Sequence, residues 1–143
     1  MIGRCVHNTG ASLGQPQRGN FYSDTTVFDL RVGSDYPVLG IGIFETILVA
    51  LVVDDTRKPN WLPAGLFEFE PQTLPTDWEF VLLDGVAASG GEASNGWVAK
   101  WGYPDLVRDE SHSDALIERD PAALEVFFRE FAKRPDSQPP PQT

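Results

Sequence analysis

The residues best equipped for chemistry in this chain are two histidines, one adjacent pair of carboxylates and a run of carboxylates interleaved with aromatic rings. His112 stands in RDESHSD, where Ser111 or Ser113, His112 and Asp114 offer a nucleophile, a base and an orienting acid. A triad needs such groups to converge from separate elements, and Ser111 has no G-x-S-x-G context, so the segment reads as a polar approach to a helix. His7 closes a predicted strand. Asp54 and Asp55 would hold Mg²⁺, or divide into acid and base, only if both side chains met one site. Neighbours on an extended chain point to opposite faces, which favours a turn whose carboxylates cap their own backbone. The sequence carries no H-E-x-x-H, CxxC pair, P-loop or GxGxxG, and SGGEASNG lacks the Lys and the helix start of a phosphate cradle. No catalytic residue, metal ligand or cofactor is assigned, and the chain is read as a non-enzyme.

The interleaved run is more informative. In LFEFE, period-2 alternation puts Leu66, Glu68 and Glu70 on one side of a strand and Phe67 and Phe69 on the other. One face must be core, which sends the carboxylates outward beside Asp54 and Asp55. The expected partner-binding set is therefore Asp54, Asp55, Trp61, Glu68, Glu70, Trp78 and Glu79. The plain alternative is a solvated sheet face that keeps the protein soluble.

Charge narrows the partner. The formal net charge is -10, and residues 54–97 hold 8 acidic against 2 basic side chains. The field outside such a protein is negative, and its few Arg and Lys form no run, so nucleic acid and anionic membrane are excluded as partners. A basic protein partner is the expected one. Cys5 is the single cysteine, which excludes an internal disulfide and fits a reducing, cytoplasmic setting. No apolar stretch follows Arg4 as a signal peptide requires. The apolar run from Pro37 to Val53 includes Glu45, Gly40 and Gly42 and falls short of the ~20 residues a spanning helix needs. It reads as core.

Several elements must position these groups. Strands are expected over Ile2–His7, Thr26–Val32, Val38–Ile43, Thr46–Val53, Leu66–Glu70 and Trp78–Leu83, with the third and fourth forming a hairpin around Phe44-Glu45. Residues 11–23 read as a loop and 61–66, with Pro63 and Gly65, as a kinked piece. The Gly-rich stretch 84–96 reads as a mobile loop able to act as a lid over Trp97 and Trp101, which restore apolar mass in a further strand. Asp120 as N-cap, Pro121 at the first helical position, and Leu124, Phe127, Phe128 and Phe131 at helical spacing predict a C-terminal helix. The expected fold is α+β and mainly β: a small curled antiparallel sheet or SH3-like barrel with a C-terminal helix. A single domain is expected over 1–134, β-rich from 2 to 103 and helical from 111 to 134, ahead of a disordered tail over 135–143.

The residues RCVHNTG, LRVGSDYPVLGI, VVDD and NWLPAGLFEFE give the chain, over residues 2–83, a resemblance to small bacterial proteins with an SH3-like β-barrel and no assigned function. Some of those resemble immunity proteins that neutralise a toxin. These are fold motifs, so no catalytic residue carries over, and residues 97–143 lie outside the likeness. The resemblance and the charge together imply an immunity-like or antitoxin-like inhibitor of a basic protein such as a toxin. The competing expectation is a small-ligand domain or enzyme with a pocket near the Gly-rich loop.

Overall fold

The computed structural model describes residues 1–19, 21–83 and 96–134. Seven strands, β1 (Ile2–Cys5), β2 (Asp35–Phe44), β3 (Ile47–Val53), β4 (Pro59–Pro63), β5 (Phe67–Glu70), β6 (Glu79–Leu82) and β7 (Trp97–Gly102), form one antiparallel sheet. Among the described residues four α-helices accompany it: α1 (Gln15–Arg18), α2 (Pro104–Arg108), α3 (Glu110–Ile117) and α4 (Pro121–Ala132). The fold is α+β and mainly β, with a helix at its C-terminal end. Of the two expected forms it is the open, curled sheet: the path β4-β3-β2-β1-β5 ends without β4 pairing to β5.

The curl comes from β2, one of whose edges serves two strands. Asp35–Pro37 pairs with β1, while Gly40–Phe44 pairs with β7, and β3 runs along the opposite edge. Between these two partners the register to β3 shifts at Val38/Gly40, leaving Leu39 as an extra residue. A bulge bends its strand and increases the local twist, so the sheet forks there into a β1–β5 branch and a β7–β6 branch. The β2–β3 hairpin forms as expected but turns on Glu45-Thr46, one residue later than the expected Phe44-Glu45, with Glu45 in the left-handed region at φ 53°.

Two cores result. Inside the curl, Cys5, Phe28, Leu30, Tyr36, Val52, Leu66 and Phe67 pack together. On the other face, Leu39, Leu51, Tyr103, Leu106, Leu116 and Phe127 form the seam with the helices. α4 starts where the sequence places it: the Asp120 carboxylate accepts from Ala123 N at 3.0 Å, and Phe127 is fully buried. The kinked piece after β4 is a 3-10 turn, Ala64–Leu66, that drops Leu66 into the first core.

The expected strand over 26–32 is not formed. Phe28 and Leu30 do alternate into the core, but Phe28 N donates to Asn8 O, Leu30 N to Phe28 O and Arg31 N to the Tyr36 hydroxyl, so no ladder develops beyond a Thr9–Val27 bridge. β1 ends at Cys5 rather than His7 because Val6 N and His7 N both turn to Leu66 O. The loop read over 11–23 contains a short helical turn, α1, and the Gly-rich stretch up to residue 95 and the tail after 134 lie outside the described residues. Among the described residues no helix is long and apolar enough to cross a membrane.

Candidate functional site: an aromatic cavity beside the hairpin

The site begins with a break in strand periodicity. Strict alternation along β7 would put Trp97 on the same face as Ala99. Instead Ile43 pairs with Ala99 and Phe44 with Trp97, so Val98 is the odd residue of a second bulge. The slip turns Trp97 to the helix-facing side, where Lys100 also lies. The indole can settle only because position 42 is glycine: a Cβ there would stand 2.6 Å from Trp97 Cζ3.

Aromatic rings then follow one another across the sheet. Phe21 meets Phe44 at 5.3 Å between centroids, Phe44 meets Trp97 edge-on at 5.2 Å, and Trp97 meets Trp61 at 4.7 Å. Such tilted and edge-to-face pairs add about 0.5–1.5 kcal/mol each beyond area burial, enough to hold the rings as a fixed wall. With Tyr22, Ile47, Val49 and Ile117 they line a half-open cavity of about 310 Å³, and among the described residues Asp114 of α3 is its one carboxylate. Trp61 Nε1 is buried without a hydrogen-bond partner among the described residues.

Trp97 also carries the ammonium of Lys100, 4.7 Å from its ring centroid, although Lys100 is 1% exposed. Burial lowers the Lys100 pKa, while Asp114, Glu110 and Asp109 act to raise it. Lys100 is thus a buried amine held on the face of a wall ring without lining the space itself, and the lining is apolar apart from Asp114 and the Tyr22 and Trp polar atoms. Chemically such a cavity accepts a hydrocarbon or aromatic group of side-chain size. Among the described residues no group of three His, Cys, Asp or Glu is placed to hold a metal ion.

No family model, curated protein or solved structure matches this chain. Its functional reading rests on its own geometry.

The structure does not gather the seven sequence-derived residues on one surface. Asp54 is buried and accepts from Thr56 N, Thr56 Oγ1 and Asn60 Nδ2, the self-capping turn that the sequence also allowed. Asp55 accepts from the Tyr36 hydroxyl at 2.8 Å, whose pKa burial pushes up to about 12. The expected outward pair is not formed: Asp54 is drawn inward by Thr56 and Asn60, while Asp55 stays exposed with its carboxylate on the Tyr36 hydroxyl. Glu79 holds Arg108 with two oxygens, at 2.8 and 2.6 Å, and Trp78 packs against the first core. Asp55, Glu68 and Glu70 stand exposed, the last two on β5, while of the seven only Trp61 reaches the cavity.

The polar segment around His112 is not an approach to a helix but the helix itself. Asp109 caps α3 by accepting from Ser111 N and Oγ, which lowers its pKa. His112 and Ser113 are buried, and His112 Nε2 lies 2.6 Å from the Tyr103 hydroxyl. Desolvation lowers the His112 pKa, opposed by Asp109 and Asp105, and burial raises that of Tyr103. The Ser113 hydroxyl has no partner among the described residues, so Ser111, Ser113 and His112 are not linked to one another as a nucleophilic relay. Sequence reasoning missed Phe44, Val49, Phe21 and Tyr22 as cavity residues. The one available signal was Gly40 and Gly42 within a β-branched run, the mark of close approach by a bulky neighbour.

Proposed function

We propose that this protein is a non-enzymatic binding domain whose aromatic cavity receives an apolar side chain of a basic protein partner. The observation that carries the reading is the cavity of about 310 Å³ walled by Phe21, Phe44, Trp61 and Trp97. A buried pocket that swallows one anchor is the usual centre of binding energy at an interface. The net charge of -10 supports a cationic partner, since it accelerates encounter without having to contact the anchor. Exposed Glu68 and Glu70 add to that field. An immunity-like inhibitor of a toxin is one protein of this kind.

The test uses lysine-rich peptides that differ in one central residue, Phe against Ala, read by the indole N–H resonances of Trp61 and Trp97. The Phe peptide is expected to shift Trp61 saturably, with an association rate that falls as salt rises. V49F, which fills the cavity, is expected to abolish the shift. Equal responses to Phe and Ala peptides sink the reading.

A second reading, a small-ligand domain, shares the cavity, whose volume sits at the lower end of the ~300–1,000 Å³ typical of ligand sites. Indole or toluene binding that is indifferent to salt and stronger than that of any peptide favours it.

A further inference from the structure

Among the described residues, three strands of the sheet have an edge that no other strand pairs, and they are treated differently. β4 begins and ends in proline, and Arg119 Nη1 donates to Pro59 O while Nη2 donates to Asn60 Oδ1, so that edge is covered from α3 and its corner. β5 exposes Glu68 and Glu70 and runs into Pro71, a combination of charge and proline that discourages edge pairing. β6 has neither device. Its sequence is EFVL, Phe80 and Leu82 are 53% and 73% exposed, and its one charge, Glu79, is already paired with Arg108.

We propose that β6 is an interaction edge and that its occupant is β6 of a second copy of this chain, paired antiparallel about a two-fold axis at Val81. The ladder to β7 decides the register. Leu83 N donates to Val98 O, and antiparallel alternation then turns Val81 toward β7 and leaves the N–H and C=O of Phe80 and Leu82 facing out. Across a two-fold at Val81, Phe80 lies opposite the partner's Leu82, and the two exchange both N–H···O bonds; the axis repeats the exchange. Opposed residues in an antiparallel pair share a face, so the apolar row of exposed Phe80, Leu82 and Leu48 with half-buried Trp101 and Ile43 continues from one sheet into the next. Charge fits the same register. Glu79 meets the partner's Leu83 rather than the partner's Glu79, and the nearby carboxylates Glu79 and Asp77 are neutralised by Arg108 and Arg134. Among the described residues the carboxylates nearest this edge are thus paired, and remote repulsion on a protein of -10 is screened beyond a Debye length of about 8–10 Å in ordinary salt.

Light scattering after size exclusion tests the proposal with the full chain. Wild type is expected to rise from 15.8 kDa toward twice that mass with concentration. F80K/L82K and F80E/L82E set like charges opposite each other and are each expected to stay monomeric, and mixing the two variants is expected to restore a dimer. Both altered side chains are largely exposed, so near-ultraviolet circular dichroism checks that the fold survives. V81C places two thiols at a non-hydrogen-bonded pair, about 4.5 Å between Cα atoms, and is expected to give an oxidised dimer even if the charged variants misfold. A wild type that remains monomeric at every concentration, as a strand from a different protein would require, overturns the proposal. So does a dimer that survives F80K/L82K.

Discussion

The indoles of Trp61 and Trp97 meet at 4.7 Å and 57° although they arise from β4 and β7, strands that lie on opposite sides of the β2–β3 hairpin. They reach each other over Gly40 and Gly42, where the hairpin presents bare backbone. The contact ties the two strands that flank the hairpin together above it and closes one wall of the cavity.

G42A tests that wall. The added methyl would stand 2.6 Å from Trp97 Cζ3, so the ring must leave its seat. Overpacking of this kind costs about 1–3 kcal/mol. Urea denaturation is expected to show that loss, and the Trp97 indole resonance to move while Phe28 and Leu30 in the other core stay in place.

His112 gives the fold a pH dependence with a defined sign. Its pKa in the folded protein is lowered, so the unfolded chain takes up a proton first as pH falls through about 6.5. Stability is fully present above that value and declines below it, until the folded pKa is reached. Denaturation midpoints are expected to fall between pH about 7.5 and 5.5, and H112Q to flatten that decline.

Asp54 and Glu68 separate structural carboxylates from surface ones. D54A leaves the Thr56 amide and the Asn60 side chain without their acceptor and is expected to cost about 1–3 kcal/mol. E68Q/E70Q is expected to change stability by under about 0.5 kcal/mol, because both groups face solvent, and to slow association with a lysine-rich peptide at low salt. Thermal melts and stopped-flow mixing read the two effects.

D120A removes the acceptor of Ala123 N at the start of α4 and is expected to lower stability by about 1 kcal/mol. Phe127 lies in the second core, so the loss is expected in global unfolding rather than in fraying of the C-terminal turn alone.

Those parts of the fold whose local pattern agrees with tertiary packing were legible in the sequence. The β-branched hairpin, the Pro-Gly kink before β5 and the Asp-Pro start of α4 each carry their own signal. α3 does not, since its buried side chains include His112 and Ser113, and polar residues on the inward face erase apolar periodicity. Thr26–Val32 misled in the opposite way: burial alternates at Phe28 and Leu30, but the backbone hydrogen bonds go to separate acceptors. The cavity was hidden by Val98, because one residue left out of the β2–β7 ladder reverses the facing of Trp97, and nothing local announces it. Asp54 and Asp55 were placed outward together, yet Asp54 is drawn in by Thr56 and Asn60 of its own turn while Asp55 stays exposed against Tyr36.

Strand β2 is a single length of backbone answering to both branches of the fork. A slip of one residue would throw its side chains to the wrong face in each branch at once, so either partner proofreads the alignment of the other. The ten residues from Asp35 to Phe44 thereby act as the common ruler of the molecule, and the amides of Gly40–Phe44, gripped on both sides, are those expected to resist deuterium longest.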